Sequence, residues 1–227
     1  MSQNQATLPF SPHSGVDYDQ YVGNESVIEA LKSYQELPDF VYVFGSRYSG
    51  KSHLFNALKH NLELETVSFA VDAVYLTQVE LTQILPKDLR YLLLDDVQDL
   101  AGDEVAELAL FNLFNHCKAQ GITLVVFASI HSKSCDLKLP DLISRLNSGL
   151  NLKLETLQGD GALSCIVNQF KLNGIPLDGA VTHYLQSYFS SDFADLYSLF
   201  LKVSIESLKL KRKVTVPLVK QIIQATS

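Results

Sequence analysis

Residues 45–52 read Gly-Ser-Arg-Tyr-Ser-Gly-Lys-Ser and fit the pattern G-x-x-x-x-G-K-[ST]. The pattern works only where a strand runs into it and a helix runs out. Its glycines let backbone N–H groups converge on phosphate oxygens, and its lysine reaches the β and γ phosphates. The final hydroxyl serves Mg²⁺, and the helix turns its positive end toward the anion. Both flanks are present: Val41–Phe44 is an apolar run, and His53–Leu62 continues as a helical pattern. The expected ligand is a nucleoside di- or triphosphate with Mg²⁺. Gly45, Ser46, Ser49, Gly50, Lys51, Ser52 and His53 are its expected contacts, with Ser52 on the metal.

A phosphate loop of this kind demands an α/β frame, and the chain supplies one. Short apolar runs recur at Phe40–Phe44, Val67–Val71, Tyr91–Leu94, Thr123–Ala128 and Leu150–Leu154. Their continuous apolar character suits strands covered on both faces. Helical patterns separate them at about 51–62, 77–85 and 103–120, and another runs from residue 24 to about 36. Alternation of this sort predicts a five-stranded parallel sheet. After residue 157 helical runs alone remain: 160–173, 178–189, 192–209 and 215–225, punctuated by Gly174-Ile175-Pro176 and Pro217. The expected domains are a leader at 1–16, a nucleotide-binding α/β domain at 17–157 and a helical lid at 158–227.

Bulk composition narrows the function. The 227 residues are 47% hydrophobic and 19% charged, an ordinary globular balance. A net charge of −7 argues against a chain that grips nucleic acid unaided, because that grip rests on Lys and Arg at phosphates. Cys117, Cys135 and Cys165 have no ligand-like spacing and read as free thiols of a reducing compartment. No apolar run approaches the roughly 18 residues of a membrane span, and no secretory signal opens the chain, so a cytoplasmic location is expected.

The loop needs acidic and polar companions at neighbouring strand ends. Tyr91–Leu94 ends in Asp95-Asp96. Asp95 is the expected metal-side carboxylate and Asp96 the group that polarises water. Thr123–Ala128 ends at Ser129, placed to face the γ-phosphate or the attacking water. Leu139–Leu146 forms a short helix with Arg145 near its end, a candidate arginine finger for a neighbour's nucleotide.

Together these pieces resemble the AAA+ ATPases, in particular the DnaA replication initiators. Tyr18–Asn24 resembles their adenine-side motif, which implies Tyr21 and Val22 as nucleotide contacts. Leu94–Gln98 resembles their metal-side strand, and Phe111–Asn115 is similar as well. The sequence stops at Ser227, directly after the lid, so no DNA-reading domain is expected. An initiator-like module of this form resembles the Hda regulatory inactivators of DnaA. Leu100–Glu104, Leu139–Leu142 and Ser144–Leu146 are local matches to them.

The leader Gln5-Ala6-Thr7-Leu8-Pro9-Phe10 resembles their docking peptide for the DNA polymerase III β sliding clamp, with Gln5, Leu8, Pro9 and Phe10 as contacts. Ala6 departs from the usual Leu at its place. The resemblance implies a regulator that sits on the clamp and inserts Arg145 into DnaA in trans. The hydrolysis it stimulates leaves DnaA bound to ADP. It also implies a resting ligand of ADP, and contact with DNA only through the clamp. A homo-oligomer is left open.

The family's lid Arg is replaced by Ala194, with no Arg near it in the sequence, so little own turnover is expected. The run Lys209, Lys211, Arg212, Lys213 reads as solvated lid surface. The competing reading is an active AAA+ ATPase, a helicase loader or assembly factor on single-stranded DNA. A small phosphate-loop kinase ranks below both, since no acceptor site stands out.

Overall fold

The structure is a computed structural model, and it describes residues 18, 21–78, 80–210 and 212–225. Five strands form one parallel sheet: β1 (Phe40–Gly45), β2 (Ser68–Asp72), β3 (Tyr91–Asp95), β4 (Thr123–Ala128) and β5 (Leu150–Leu154), in spatial order β2-β3-β4-β1-β5. The apolar runs of the sequence therefore become strands, and the α/β class holds.

Period-two alternation explains why the middles of three of these strands are apolar without a break. Phe40 and Tyr42 of β1 join Leu92, Leu94, Leu124 and Val126 in a core on one face. Val41 and Val43 join Leu93, Val125 and Phe127 in a core on the other. Both faces of β1, β3 and β4 are covered, so neither residue parity can be polar. The edge strands β2 and β5 are only half-buried and tolerate Asn151 and Lys153.

Helices cover each face. α1 (Glu25–Lys32) and α2 (Lys51–Glu65) contribute Leu31, Leu54, Leu58 and Leu62 to the second core. α4 (Glu104–Gln120) and α5 (Pro140–Asn147) contribute Leu110, Leu113, Leu142 and Leu146 to the first. The expected helix over 77–85 is instead a 3-10 turn at Ala73–Thr77 followed by the one-turn α3 (Leu81–Ile84). Asp72 starts that 3-10 turn early by accepting a hydrogen bond from Val74 N.

The lid is α6 (Gly159–Leu172), α7 (Gly179–Tyr188), α8 (Phe193–Leu210) and α9 (Val216–Gln224). It has its own core around Ile166, Phe170, Leu185, Phe200, Val203 and Val219. The segment leading into it is tied back to the α/β body. Asn24 donates to Glu155 O and accepts from Glu155 N, at 3.0 and 2.8 Å.

One carboxylate fixes the first face. Glu107 of α4 is fully buried, and it accepts backbone N–H groups from Gly102, Lys138 and Leu139 at 2.7–3.1 Å. Three amides from two loops converge on one side chain, and two of them belong to the approach to α5. Glu107→Ala strands these donors in the interior and is expected to lower stability by about 3 kcal/mol or more in urea unfolding. A loss below about 1 kcal/mol contradicts the assignment.

Candidate functional site

All five strands point the same way, so their C-terminal ends line one edge of the sheet. β1 lies between β4 and β5, and that position makes this edge the crevice of an open α/β sheet. Phe44 pairs with Ala128, which brings the residues that follow, Gly45 and Ser129, to the same level. Leu94 pairs with Val126, which brings Asp95 alongside. The loop at 45–52, the Asp95-Asp96 pair and Ser129 thus meet at one place.

The loop is held from several sides. Gly50 takes φ 89°, a left-handed conformation, and a Cβ there would run into the Tyr21 hydroxyl. Tyr21 Oη donates to Ser49 O at 2.9 Å, and its ring lies 5.4 Å from His53. Burial pushes the Tyr21 phenol well above its usual range, with the Cys165 thiol of the lid adding to the shift. Val22 follows Tyr21, half-buried. Ser46 Oγ is 2.9 Å from Thr156 Oγ1, which joins the loop to the segment before the lid. Ser49 is buried, and its hydroxyl has no hydrogen-bond partner among the described residues.

Tyr48 has φ 66°, an unfavourable value for a non-glycine residue, by about 1 kcal/mol. Its ring lies 6.2 Å from Phe193 and 5.7 Å from Tyr197 of the lid, with the Arg47 guanidinium 4.9 Å from its centroid.

Lys51 opens α2 and donates to Gly45 O and Ser46 O at 2.7 and 3.0 Å. Burial lowers its pKa, and the nearby Asp96 and Asp95 work against that shift. Burial raises the Asp95 carboxyl from 3.8 to about 6, and the Asp96 charge adds to the rise. Ser52 is exposed, and its hydroxyl bonds to no described residue. Gln98 was missed as a site residue. Its side-chain amide donates to Asp96 Oδ1 at 2.9 Å and accepts from Ser129 N at 2.8 Å, bridging the two residues expected at the γ-phosphate.

These residues suit a magnesium nucleotide. A concentration of carboxylate beside a desolvated ammonium, with backbone amides around it, is the donor set that phosphate and a dication share. Among the described residues no group of three His, Cys, Asp or Glu is placed to hold a metal. Mg²⁺ here would rely on Ser52, Asp95, phosphate and water, as is usual for this ion.

Arg145 sits apart from this constellation. α5 packs with the first core and α2 with the second, so the two lie on opposite faces of the sheet. The Arg145 guanidinium lies 5.7 Å from the Phe114 ring centroid, half-buried, and forms no ion pair among the described residues. Ala194 lies in the first turn of α8, its amide bonded to Asp192 Oδ1 at 2.8 Å. Gln5, Leu8, Pro9 and Phe10 lie outside the described residues.

Residues 160–223 match a family model of the Hda lid domain. The fold matches domain III of the Thermotoga maritima replication initiation protein DnaA with a TM-score of 0.81 at 17% identity, over 96% of this chain and 98% of that one. The lid thus matches the Hda lid domain, and the fold of the whole chain is similar to that of DnaA domain III. AMPPCP-bound DnaA from Aquifex aeolicus is similar too, with a TM-score of 0.69 at 20% identity over 86% of this chain and 66% of that one. The Thermotoga maritima RuvB Holliday junction branch migration motor reaches 0.68 at 18% identity, over 95% and 73%. An uncharacterized protein of Haemophilus influenzae is 27% identical over 226 residues, covering 96% of this chain and 98% of the relative. The fold expected from the motifs therefore holds across both the α/β body and the lid.

The raised Asp95 pKa has a sign that can be measured. Between about 3.8 and 6 the folded chain holds a proton that the unfolded chain has released, so this residue lowers stability as pH rises through that window. Asp95→Asn removes the effect. Without metal, the variant should be more stable than wild type above pH 6 by about 1–2 kcal/mol, after allowance for solvent screening, and the gap should close near pH 4. Paired urea titrations across pH 4–7.5 measure this. A gap that does not change with pH refutes a buried carboxylate at this edge.

Proposed function

We propose that this protein is a negative regulator of replication initiation that acts on DnaA. It binds ADP or ATP with Mg²⁺ at its own loop and docks on the DNA polymerase III β sliding clamp through Gln5, Leu8, Pro9 and Phe10. It then supplies Arg145 in trans to the nucleotide of DnaA, leaving DnaA with ADP. Arg145 is the observation that carries this reading. It is an arginine without an acidic partner among the described residues, on the sheet face opposite its own α2. Such a residue serves another molecule's charge better than its own site.

Its helix is also held at its start. The buried Glu107 carboxylate holds the two amides before α5, and a finger contributes to rate only when its position is preset. The loop's own nucleotide has a structural part in this reading. Tyr21, Gly50, Ser46 and Tyr48 knit the loop to the segments around it, and a bound nucleotide would complete that frame. A cytoplasmic site of action follows from the partners.

The active-ATPase reading draws on the complete edge of Asp95, Asp96, Gln98 and Ser129. It is disfavoured by net charge −7 and by an Ala where the lid would offer an Arg.

The test is hydrolysis of DnaA-bound ATP with clamp loaded on DNA. Wild-type protein should accelerate it, and Arg145→Ala should lose the acceleration by about a thousandfold. Deletion of residues 1–12 should leave Arg145 intact yet abolish dependence on the clamp. An Arg145→Ala variant as active as wild type refutes the finger. Rapid ATP turnover by the protein alone, lost in Lys51→Ala, replaces this reading with the ATPase.

A further inference from the structure

The lid of this protein meets the phosphate loop through rings rather than through charge. Tyr48 of the loop contacts Phe193 and Tyr197 in the first two turns of α8. Those two rings stack on each other, 6.1 Å apart and 13° from parallel. Tyr197 continues to Phe200 at 5.9 Å, and Phe200 meets Phe170 at 4.8 Å in the lid core. An unbroken series of aromatic contacts thus leads from the loop to the lid's interior.

Charge has no matching route. From Phe189 to Leu201 the chain carries no Lys, Arg or His, but it does carry Asp192 and Asp195. The end of α8 that faces the loop has nothing with which to count phosphates. Tyr48 also holds a left-handed backbone conformation that a tyrosine adopts only when its surroundings enforce it, and the lid rings are part of those surroundings.

We propose that Tyr48 is a positioning residue that docks the lid on the phosphate loop through this aromatic contact. Lid position is then set by the ring contact and is the same with no nucleotide, ADP or ATP. The inference rests on the nucleotide socket proposed above only for its second half; the docking itself concerns the empty protein. In an AAA+ chain whose lid follows the γ-phosphate, the lid reports hydrolysis state. Here the lid and the body would instead present one fixed surface to a partner, whatever the loop holds.

The chain has no tryptophan, so Tyr197→Trp in the full-length protein places a single fluorophore at the contact. Its accessibility to acrylamide is measured without nucleotide, with Mg-ADP and with Mg-ATP, and binding is followed separately with a fluorescent ADP analogue. The parent and Tyr48→Phe should give the same shielded tryptophan in all three states. Tyr48→Ala should expose it, with an increase in the open fraction of about tenfold. Recovery by Tyr48→Phe separates loss of the ring from loss of the fold.

A tryptophan equally shielded in Tyr48→Ala overturns the docking role. A parent tryptophan whose exposure changes severalfold between the empty and ATP states overturns the claim of nucleotide-independent position. If the analogue does not bind, the socket reading falls, while the comparison of empty variants still decides the role of Tyr48.

Discussion

Parallel pairing of β1 between β4 and β5 is the constraint on which the rest of this molecule depends. It sends every strand toward the same edge and forces each connection to cross the sheet with a helix or a long loop. Four segments distant in sequence end up as neighbours there: the phosphate loop, the Asp95-Asp96 pair, Ser129 and the Thr156 segment that leads into the lid. In an antiparallel sheet of the same order, the loop after β1 would lie at the opposite edge from Ser129 after β4 and Thr156 after β5. The two apolar cores exist to hold this arrangement, and they oblige β1, β3 and β4 to be apolar on both faces.

Electrostatics at that edge follow from burial more than from pairing. Asp95 and Lys51 are each pushed toward neutrality by loss of water, and their mutual attraction offsets the shifts only in part. A site in that condition has unmet demand for charge. A dication would lower the Asp95 pKa and a phosphate would raise that of Lys51, each opposing the shift that burial causes. Glu107 shows the opposite solution on the other face, where three backbone amides satisfy a buried carboxylate.

The sequence made the frame legible because strands buried on both faces leave continuous apolar runs, and the boundaries at Thr123–Ala128 and Leu150–Leu154 match the structure. The short segment after β2 was harder. Its apolar residues have helical spacing, but Asp72 caps a 3-10 turn that ends at Thr77, and only four residues of α3 follow. Glu107 was missed, although its signal was present: positions 107, 110, 114 and 117 form the buried stripe of α4, and an acid in that stripe needs partners. Gln98 and Tyr48 left no such signal. Their roles depend on a strand end and a lid helix that approach them only in three dimensions, Gln98 and Ser129 being 31 positions apart.

The two faces of the sheet divide the proposed work between them. On one, α2 and the loop would hold a nucleotide within a frame that Tyr21 and Ser46 brace and Tyr48 ties to the lid. On the other, Glu107 fixes the approach to the helix that carries Arg145. A finger offered to a partner gains from rigidity, because any freedom at Arg145 is lost again as entropy when it enters the partner's site. Motion driven by turnover at the protein's own loop would work against that rigidity. A lid end without cations and a loop locked by rings both suppress such motion. The same economy makes sense of a complete phosphate loop in a chain with Ala194 in the first turn of α8. In the proposed reading the loop keeps the body in one shape, and the chemistry belongs to the partner that meets it.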